Sequence, residues 1–178
     1  MPLMRITHQR HAFTKEQKAL LAEKLTHAML IGEIGEDTPA GRAVANIIFT
    51  EVDENSDWYV GGQIEPNPPK GGRYMIDVTF PVGAADQAAK TELHRAVESV
   101  LAEVLGVDAT FPSRAGDWVM LHEITSGNWG FSGKTMGSPD IASVVKTPES
   151  RLKFNRGVMA AQKRAREAHG FPPGSGLD

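Results

Sequence analysis

The residue best suited to chemistry in this sequence is Pro2, which directly follows the initiator methionine. A small second residue normally permits removal of that methionine, so we expect the mature chain to begin with the secondary amine of Pro2. An α-amino group has a reference pKa of about 7.7–8.0, and burial beside apolar side chains or cations lowers it. Such an amine can act as a general base at neutral pH or attack a carbonyl carbon to form an imine. Taken alone, a Met-Pro start is equally compatible with an ordinary chain terminus.

Other catalytic chemistries have little support in the sequence. The absence of cysteine excludes disulfides and thiolate catalysis. The six histidines have no spacing typical of metal ligands, and His122 points to the opposite strand face from Glu123. The glycines that follow Trp58 match neither the dinucleotide-binding pattern nor the P-loop pattern. We therefore expect neither a metal nor a cofactor.

Composition sets the class of protein. The chain has 178 residues, of which 40% are apolar and 23% charged, as is usual for one soluble domain with a core. A formal net charge of -3 gives no argument for nucleic acid or an anionic membrane. No apolar run approaches the roughly 20 residues that span a bilayer, and the charge at Arg5 argues against a secretion signal. We expect a cytoplasmic protein that binds neither nucleic acid nor membrane.

An internal repeat supplies the elements that must position Pro2. Glu51 recurs as Glu123, each in an apolar stretch, and Trp58 recurs as Trp129, each before a glycine-containing turn. The offsets in residue number are 72 and 71, and loops absorb such small length differences cheaply. The repeat is too long for a solenoid and occurs only twice, so it predicts one domain with internal pseudo-symmetry. The helical stripes match as well: Leu21, Leu25, Ala28 and Met29 correspond to Leu93, Val97, Val100 and Leu101.

Each repeat has the pattern strand, helix, strand. Thr14 and Gln17 form a capping-box pattern at the start of the first helix, and Gly32 and Gly35 are expected to end it. Strands joined through a helix are normally parallel with a right-handed crossover. We therefore predict an α/β fold in which two β-α-β units form a four-stranded sheet with both helices on one face. The predicted bounds are strands 3–9, 43–52, 73–82 and 117–124, helices 15–30 and 86–105, and units 2–64 and 72–135.

The second face of this sheet needs a cover. The strands contain more apolar residues than two helices can cover, which predicts a second apolar face buried by self-association. These residues are Ile6, Val44, Ile48, Val78, Val119 and Leu121. Residues 138–178 form a C-terminal extension after the domain at 1–137, with an expected basic helix at 153–169. Acidic residues and alanines interrupt its basic cluster, which favours a solvated helix packed across a subunit over a partner-binding arm.

Several motifs together carry a family resemblance. They are Pro2, Glu16-Gln17-Lys18, Ile48-Phe49-Thr50-Glu51, Trp58-Tyr59-Val60-Gly61-Gly62, Glu123 and Asn128-Trp129-Gly130-Phe131-Ser132-Gly133. With them, residues 2–137 resemble the tautomerase superfamily, which includes 4-oxalocrotonate tautomerase and macrophage migration inhibitory factor. The match is to the fused, two-unit branch, whose members assemble as trimers. The resemblance implies an amino-terminal proline base that moves a proton in an enol or dienol acid, or adds water to an acrylate.

The resemblance also implies site residues. Pro2 matches the catalytic proline, and Trp58 falls where the 4-oxalocrotonate enzyme has an aromatic pocket wall, although core packing is an equal alternative. Asn46 falls at the position of a carboxylate-binding arginine, where an amide can donate a hydrogen bond but cannot form a bidentate charged clamp. Trp118 and Met120 match two pocket positions of the cytokine-like branch. We expect these residues to bind substrate, across a subunit boundary in a homotrimer.

Two other branches fit less well. The paired arginines of the dehalogenase branch fall at Pro81 and Ala84, and those of the decarboxylase branch at Pro81 and Gly83. The helix histidine of the dehalogenases falls at Met29, and His27 lies on the wrong helical face. The sequence thus predicts a tautomerase, an isomerase that uses Pro2 on a small keto–enol acid. The alternatives are a non-catalytic ligand-binding or signalling member of the same fold, and a hydratase-, dehalogenase- or decarboxylase-type relative.

Overall fold

The computed structural model describes residues 2–65, 67–172 and 174–176. Within these ranges, no helix is both long and apolar enough to cross a bilayer. The elements are, in chain order, β1 (Leu3–Gln9), α1 (Lys15–Ile34), α2 (Pro39–Arg42), β2 (Asn46–Val52), β3 (Tyr59–Val60), β4 (Gln63–Ile64), β5 (Tyr74–Pro81), α3 (Gln87–Leu105), β6 (Trp118–Ile124), β7 (Trp129–Phe131), β8 (Lys134–Met136), α4 (Ser138–Val144) and α5 (Glu149–Ala168).

Four strands form one sheet in the order β2-β1-β5-β6. β1 pairs with β2 and β5 pairs with β6 in parallel, whereas β1 and β5 are antiparallel neighbours. Leu3 pairs with Asn46, and Met75 pairs with Trp118, so the register of the first unit recurs in the second at the offset of the repeat. The predicted fold of two β-α-β units in one sheet is confirmed.

The repeat extends to a pair of ionic contacts between helix and strand. The ammonium group of Lys18 lies 2.7 Å from the carboxylate of Glu51, and that of Lys90 lies 2.5 Å from the carboxylate of Glu123. Both members of the pair are displaced by the same offset between the units. Each contact ties the first part of a helix to the second strand of its own unit.

The end of α1 differs from the prediction because of a close helix contact. The helix continues past the predicted end at Leu30, through Gly32, and stops at Ile34. A Cβ atom at Gly32 would lie only 3.1 Å from Leu93 of α3, so this glycine permits close packing of the two helices. Gly35, with a φ of 81°, adopts the left-handed conformation that caps the helix.

β2 also begins later than predicted, at Asn46 rather than at residue 43. The backbone N–H groups of Ala43 and Ala45 donate hydrogen bonds to the carbonyl oxygens of Pro39 and Gly41, each at 3.0 Å. These donors hold the segment in the turn that follows α2. Sheet pairing therefore starts only at Asn46.

The core lies between one face of the sheet and the two long helices, α1 and α3. Side chains at alternate strand positions, such as Met4 and Ile6 in β1, are fully buried against these helices. Other buried members of this core are Leu21, Leu25, Met29, Ile76, Val78, Phe80, Leu93 and Leu101. This arrangement matches the predicted placement of both helices on one face.

The uncovered face is less apolar than predicted. Val119 and Leu121 pack against the helix-side core, and of the residues expected on a second apolar face, Ile48 is the one that stays exposed. The uncovered face also carries charge, because His122 Nε2 lies 2.6 Å from a carboxylate oxygen of Asp77. The expectation that these residues lie on the second face was wrong for Ile6, Val78, Val119 and Leu121, since strict alternation in the strands sends their side chains to the helices.

Two short hairpins follow the outer strands, β3–β4 after β2 and β7–β8 after β6. Their turns, Gly61-Gly62 and Ser132-Gly133, have positive φ at both residues, the conformation that two-residue hairpin loops require. The aromatic side chains of Tyr59 and Phe131 are exposed on these hairpins. Neither hairpin pairs with the four-stranded sheet.

Candidate active site

Pro2 lies at the start of β1, at the end of the sheet where β2 also begins. Its carbonyl oxygen accepts a hydrogen bond from the backbone N–H of Asn46 at 3.2 Å. The antiparallel register of β1 and β5 places Pro2 opposite Phe80. Because side chains alternate along a strand, Pro2 points to the same face as Met4 and is buried there. The residue is therefore held at the helix-covered face of the sheet.

A buried carboxyl group lies at the same end of the fold. Glu33, in the last turn of α1, is only 2% exposed. It lines a cavity of about 20 Å³ together with Pro81, Ser138 and Asn155. Pro81 directly follows the residue opposite Pro2, so the cavity adjoins the start of β1. A cavity of this size has room for about one water molecule.

Protonation of Glu33 is tuned to neutral pH. Burial raises its pKa from 4.5 to about 7. The position in the last turn of a helix also disfavours a negative charge. The Glu33 carboxyl can therefore change its protonation state near neutral pH.

Glu33→Gln is expected to remove a pH-dependent part of the stability. The native pKa of about 7 lies above the ordinary value of 4.5, so the stability contributed by this group is complete below pH 4.5 and is lost as the pH rises to about 7. A shift of this size corresponds to at most about 3 kcal/mol. The free energy of unfolding, measured in urea from pH 4.5 to 8, should fall for the wild type relative to the variant. Glu36→Gln, at an exposed position just beyond the helix, should leave the pH dependence of the free energy of unfolding as it is in the wild type. If Glu33→Gln and the wild type showed the same pH dependence, the raised pKa of Glu33 would be contradicted.

Asn46 is adjacent to Pro2 in the backbone, but its side chain is on the other face of the sheet. Asn46 and Ile48 are two residues apart in β2 and both are exposed, so their side chains lie on the same face of the sheet. The amide nitrogen of Asn46 donates a hydrogen bond to the carbonyl oxygen of Val44 at 3.1 Å. One of its two amide N–H groups is therefore already used within the chain. Its expected role as a donor to substrate stays a prediction that depends on the second N–H.

Trp118 and Met120 lie away from Pro2 within one chain. Trp118 pairs with Met75 at the start of β5, whereas Pro2 faces Phe80, five residues further along that strand. At the usual rise per residue, the separation along the strand is about 17 Å. Trp118 is 57% exposed on the uncovered face of the sheet. A pocket that contains both Pro2 and these side chains therefore needs a second copy of the chain.

Trp58 is more buried than a free pocket wall would be. It follows the end of β2 that lies away from Pro2, and it is only 9% exposed. Burial at this level favours the packing role, which the sequence left as an equal alternative. Contact with substrate stays a prediction for Trp58, and within one chain the structure does not bring it to Pro2.

Comparison with known proteins gives matches to solved structures. No family model and no curated protein sequence matches the chain. A native fused 4-OT is 21% identical, over 75% of this chain and 94% of that chain, with a TM-score of 0.59. A member of the cis-3-chloroacrylic acid dehalogenase family is 20% identical, over 87% and 99% of the two chains, with a TM-score of 0.62. The chain has the tautomerase fold.

Other solved structures with this fold differ in what their names describe. A malonate semialdehyde decarboxylase inhibited by 3-bromopropiolate is 18% identical, over 73% of this chain and 88% of that chain, with a TM-score of 0.53. Some of the matched fused 4-OT structures are of asymmetric trimers, and another is of a symmetric trimer. The resemblance to the tautomerase superfamily is confirmed at the level of the fold. At these identities the shared property is the fold, and the reaction is a separate question.

In the second unit of this tautomerase fold, buried side chains close the end that corresponds to the Pro2 end of the first unit. Tyr74 occupies the position that the repeat makes equivalent to Pro2, and its backbone N–H donates to Asp117 at 3.3 Å. The Tyr74 hydroxyl donates to Glu98 at 2.9 Å, and Arg114 covers the Tyr74 ring at 4.8 Å. Burial raises the pKa of Tyr74, so its hydroxyl stays protonated and acts as a donor. This end is a structural network with no free amine among the described residues.

Glu33, Arg151 and Asn155 were missed in the sequence. Glu33 falls at four-residue spacing from Met29 and eight from Leu25, on the buried stripe of α1, and a carboxylate on that stripe is the signal that could have identified it. Arg151 and Asn155 are four residues apart in α5, which places them on one helical face. Nothing in the local sequence shows that this face packs at the start of β1.

Proposed function

We propose that the protein is a tautomerase that uses Pro2, freed of Met1, as general base on a small keto–enol acid. The observation that carries the proposal is the position of Pro2: it is buried and directly precedes β1 of a tautomerase fold. The amine would take the hydroxyl proton of the enol and return a proton to the neighbouring carbon. The electron pair of the C=C bond forms the new C–H bond, and the oxygen becomes a carbonyl. No cofactor is needed for this proton transfer.

The substrate that fits best is a monocarboxylate enol with an aromatic or apolar group, such as phenylenolpyruvate. The residues proposed to wall the pocket, Trp58, Trp118 and Met120, are apolar, and Asn46 offers an amide rather than a charged clamp. Binding of a dicarboxylate would therefore be weak, with a high KM. Desolvation by these walls would lower the amine pKa toward neutrality.

We propose a homotrimer, because the site is incomplete in one chain. The offset of about 17 Å between Pro2 and Trp118 along the strand means that only another copy can bring Trp118 beside Pro2. The uncovered sheet face and the exposed aromatic residues of both hairpins offer surfaces for such contacts. The trimers formed by the matched fused 4-OT structures support the same number of subunits.

Ile48→Asp is expected to dissociate this assembly. Ile48 lies on the uncovered face and is 45% exposed in the single chain, so a buried carboxylate would replace an apolar contact in the trimer. Light scattering coupled to gel filtration should show about three times the 19.3 kDa chain mass for the wild type and a lower mass for the variant. Leu20→Asp is the matched control, since Leu20 is equally exposed but lies on α1. A wild-type monomer at micromolar concentration would reject the trimer.

The first test of the function combines mass spectrometry with an enol assay. The mass of the purified protein shows whether Met1 is absent, because only then does Pro2 carry a free amine. Ketonisation of phenylenolpyruvate, followed in the ultraviolet, then shows whether the protein has tautomerase activity. Retention of Met1 with no turnover would favour the non-catalytic, ligand-binding alternative, because an acylated proline nitrogen is not a base.

A second candidate function is addition of water to a conjugated acid, and Glu33 is the observation that favours it. Burial raises the pKa of its carboxyl group to about 7, so the group can accept a proton from water near neutral pH. Glu33 would then take a proton from water while Pro2 protonates the substrate carbon. The pH–rate profile separates the two functions: the rate falls at low pH if the amine is a base, and at high pH if it is an acid.

A further inference from the structure

An open groove of about 890 Å³ runs between the exposed sides of α1 and α3. Its volume lies within the usual range for small-molecule sites. The lining extends over residues 23–32 of α1 and 88–100 of α3, which is about 14 Å along α1 and about 18 Å along α3 at the usual helical rise. Pro2 is not among the residues that line it. The groove is therefore elongated and separate from the candidate active site.

The inside of this groove is apolar. Ala28, Ala89 and Leu93 are buried at its base. Ile31 is 41% exposed at the side of α1, and Val100 is half-buried at the side of α3. A ligand that covered these side chains would remove apolar surface from water, which favours binding. The groove is therefore suited to the apolar part of a ligand.

Charged side chains at the rim of the groove are paired within the chain, with one exception. The guanidinium group of Arg42 lies 2.6 Å from Asp37 and 2.9 Å from Glu23, and the ammonium group of Lys24 lies 2.9 Å from Glu103. Other titratable side chains of the rim also have partners: His27 contacts Asp37, Asp86 accepts a hydrogen bond from the backbone N–H of Ala89, and Glu92 contacts Arg95. These groups are therefore already neutralised or hydrogen-bonded without a ligand.

The exception is Arg151 of α5, which lies at one end of the groove. A Cβ atom at Gly35, which caps the C-terminal end of α1, would lie 3.1 Å from the Nε atom of Arg151. The ion pairs and side-chain hydrogen bonds among the described residues do not include its guanidinium group. A half-buried guanidinium offers a planar fork of donors that matches a carboxylate. The groove thus combines an elongated apolar body with one cationic group at its end that has no partner in the described part of the chain.

We propose that this groove is a second ligand site, and that its ligand is a straight-chain fatty acid. The carboxylate binds Arg151, and the alkyl chain lies between α1 and α3 over Ile31 and Val100. A compact acid would leave much of the apolar groove in contact with water, and an uncharged chain would leave the guanidinium group without a partner. The site takes no part in the proton transfer proposed for Pro2. Because the proposed trimer forms through the uncovered sheet face, the groove on the helix side stays open to solvent in it.

The first test separates the charge of the ligand from its chain. Isothermal titration of the full chain is carried out with decanoate, with 1-decanol as the neutral probe and propionate as the short acid. Wild type should bind decanoate at least about 10-fold more tightly than either other probe. Arg151→Ala should weaken decanoate binding by about 10- to 100-fold and decanol binding by less than about threefold, and Arg151→Lys should recover part of the loss. Lys153→Ala is the matched control, since it removes the same charge from an exposed position of α5.

The second test fills the groove without touching the cation. Ala96 is half-buried and lines the groove on α3, so the ring of Ala96→Phe would occupy the space of the alkyl chain. Binding of decanoate and of decanol should both fall by more than about 10-fold. Ala165→Phe, which adds the same ring at an exposed position of α5, should change neither. Circular dichroism and thermal unfolding verify that each variant is folded.

The outcomes are independent of the proposed tautomerase function, because no turnover is measured. Binding of decanoate with the expected effects of Arg151→Ala and Ala96→Phe supports the site even if the protein turns over no enol. Equal losses for decanoate and decanol in Arg151→Ala would mean that the residue only holds α5 in place, and would overturn the inference. It is equally overturned if wild type does not bind decanoate, if Lys153→Ala matches Arg151→Ala, or if Ala96→Phe binds decanoate as wild type does.

Discussion

Pro2→Ala is expected to slow the ketonisation of phenylenolpyruvate by about 10²–10⁴-fold, the range for loss of a general base. Alanine is also small, so Met1 should still be removed, and the variant retains a primary amine. That amine lacks the pyrrolidine ring, which blocks rotation about the N–Cα bond and so holds the nitrogen at the start of β1. The expected loss is mainly in kcat, because the base acts on the reacting proton and contributes little to ground-state binding. Steady-state kinetics in the ultraviolet, with the mass of each protein verified, provide the measurement.

Pro68→Ala is the matched control for this experiment. Pro68 is exposed in the segment between the two units, and its replacement should leave kcat and KM unchanged. Equal rates for Pro2→Ala and wild type, with Met1 absent from both, would show that Pro2 is not the base. If neither protein turns over any enol, the non-catalytic alternative takes precedence.

Arg114→Ala should destabilise the protein by about 3–5 kcal/mol, the cost of removing one partner of a buried ion pair, because Asp117 would be left with the more distant guanidinium of Arg73, at 3.8 Å. The side chains of Arg114 and Asp117 are 5% and 1% exposed, and their charged atoms Nε and Oδ2 lie 2.6 Å apart. The N–H group is not aligned with that oxygen, so the contact is ionic and not a hydrogen bond. Arg114 also donates hydrogen bonds to the carbonyl oxygens of Lys70 and Gly72, which ties the segment between the units to the second unit. A loss of this size is a large fraction of the stability of a typical domain.

The loss in Arg114→Ala should also depend on pH. Burial raises the pKa of Asp117, while the charge of Arg114 opposes that rise. Without the arginine, ionised Asp117 is the source of the cost, so the destabilisation should be larger at pH 8 than at pH 4. Free energies of unfolding in urea at both values test this. Arg10→Ala is the control, because Arg10 pairs with Asp53 at 3.1 Å on the surface and should cost less than about 1 kcal/mol.

Equal, small decreases in the free energy of unfolding for Arg114→Ala and Arg10→Ala would contradict the structural role of Arg114 and its contacts. The comparison also bears on the symmetry of the fold. At this end of the second unit, Tyr74 and Asp117 would stabilise the fold, whereas the equivalent end of the first unit would carry the free amine of Pro2. A destabilised Arg114→Ala that keeps its activity at low temperature would fit that division.

Sequence alone was sufficient for the fold, because the signals are local and occur twice. The apolar stripe of each long helix is set by residues three and four apart, and Thr14 with Gln17 forms the capping box that the sequence predicted. The internal repeat predicted that β1 and β5 would occupy neighbouring or symmetric places, and they are adjacent. Pro2 was identified for its chemistry by type and position, and its catalytic role stays a prediction.

Only the tertiary structure decided what surrounds Pro2, because those residues come from distant parts of the chain. Glu33 and Arg151 are far apart in the sequence, and they meet because Gly35 and Gly83 leave room for α5 at the start of β1. No periodicity in α5 specifies which surface its face will contact. The direction of each strand residue, toward the helices or toward the uncovered face, was likewise fixed by the packing of α1 and α3 on one side. Local sequence patterns therefore determined the elements and their order. Long-range packing determined the burial of Glu33 and its raised pKa. It also determined that Arg151 is, in the described part of the chain, the one cationic side chain that lines the same cavity.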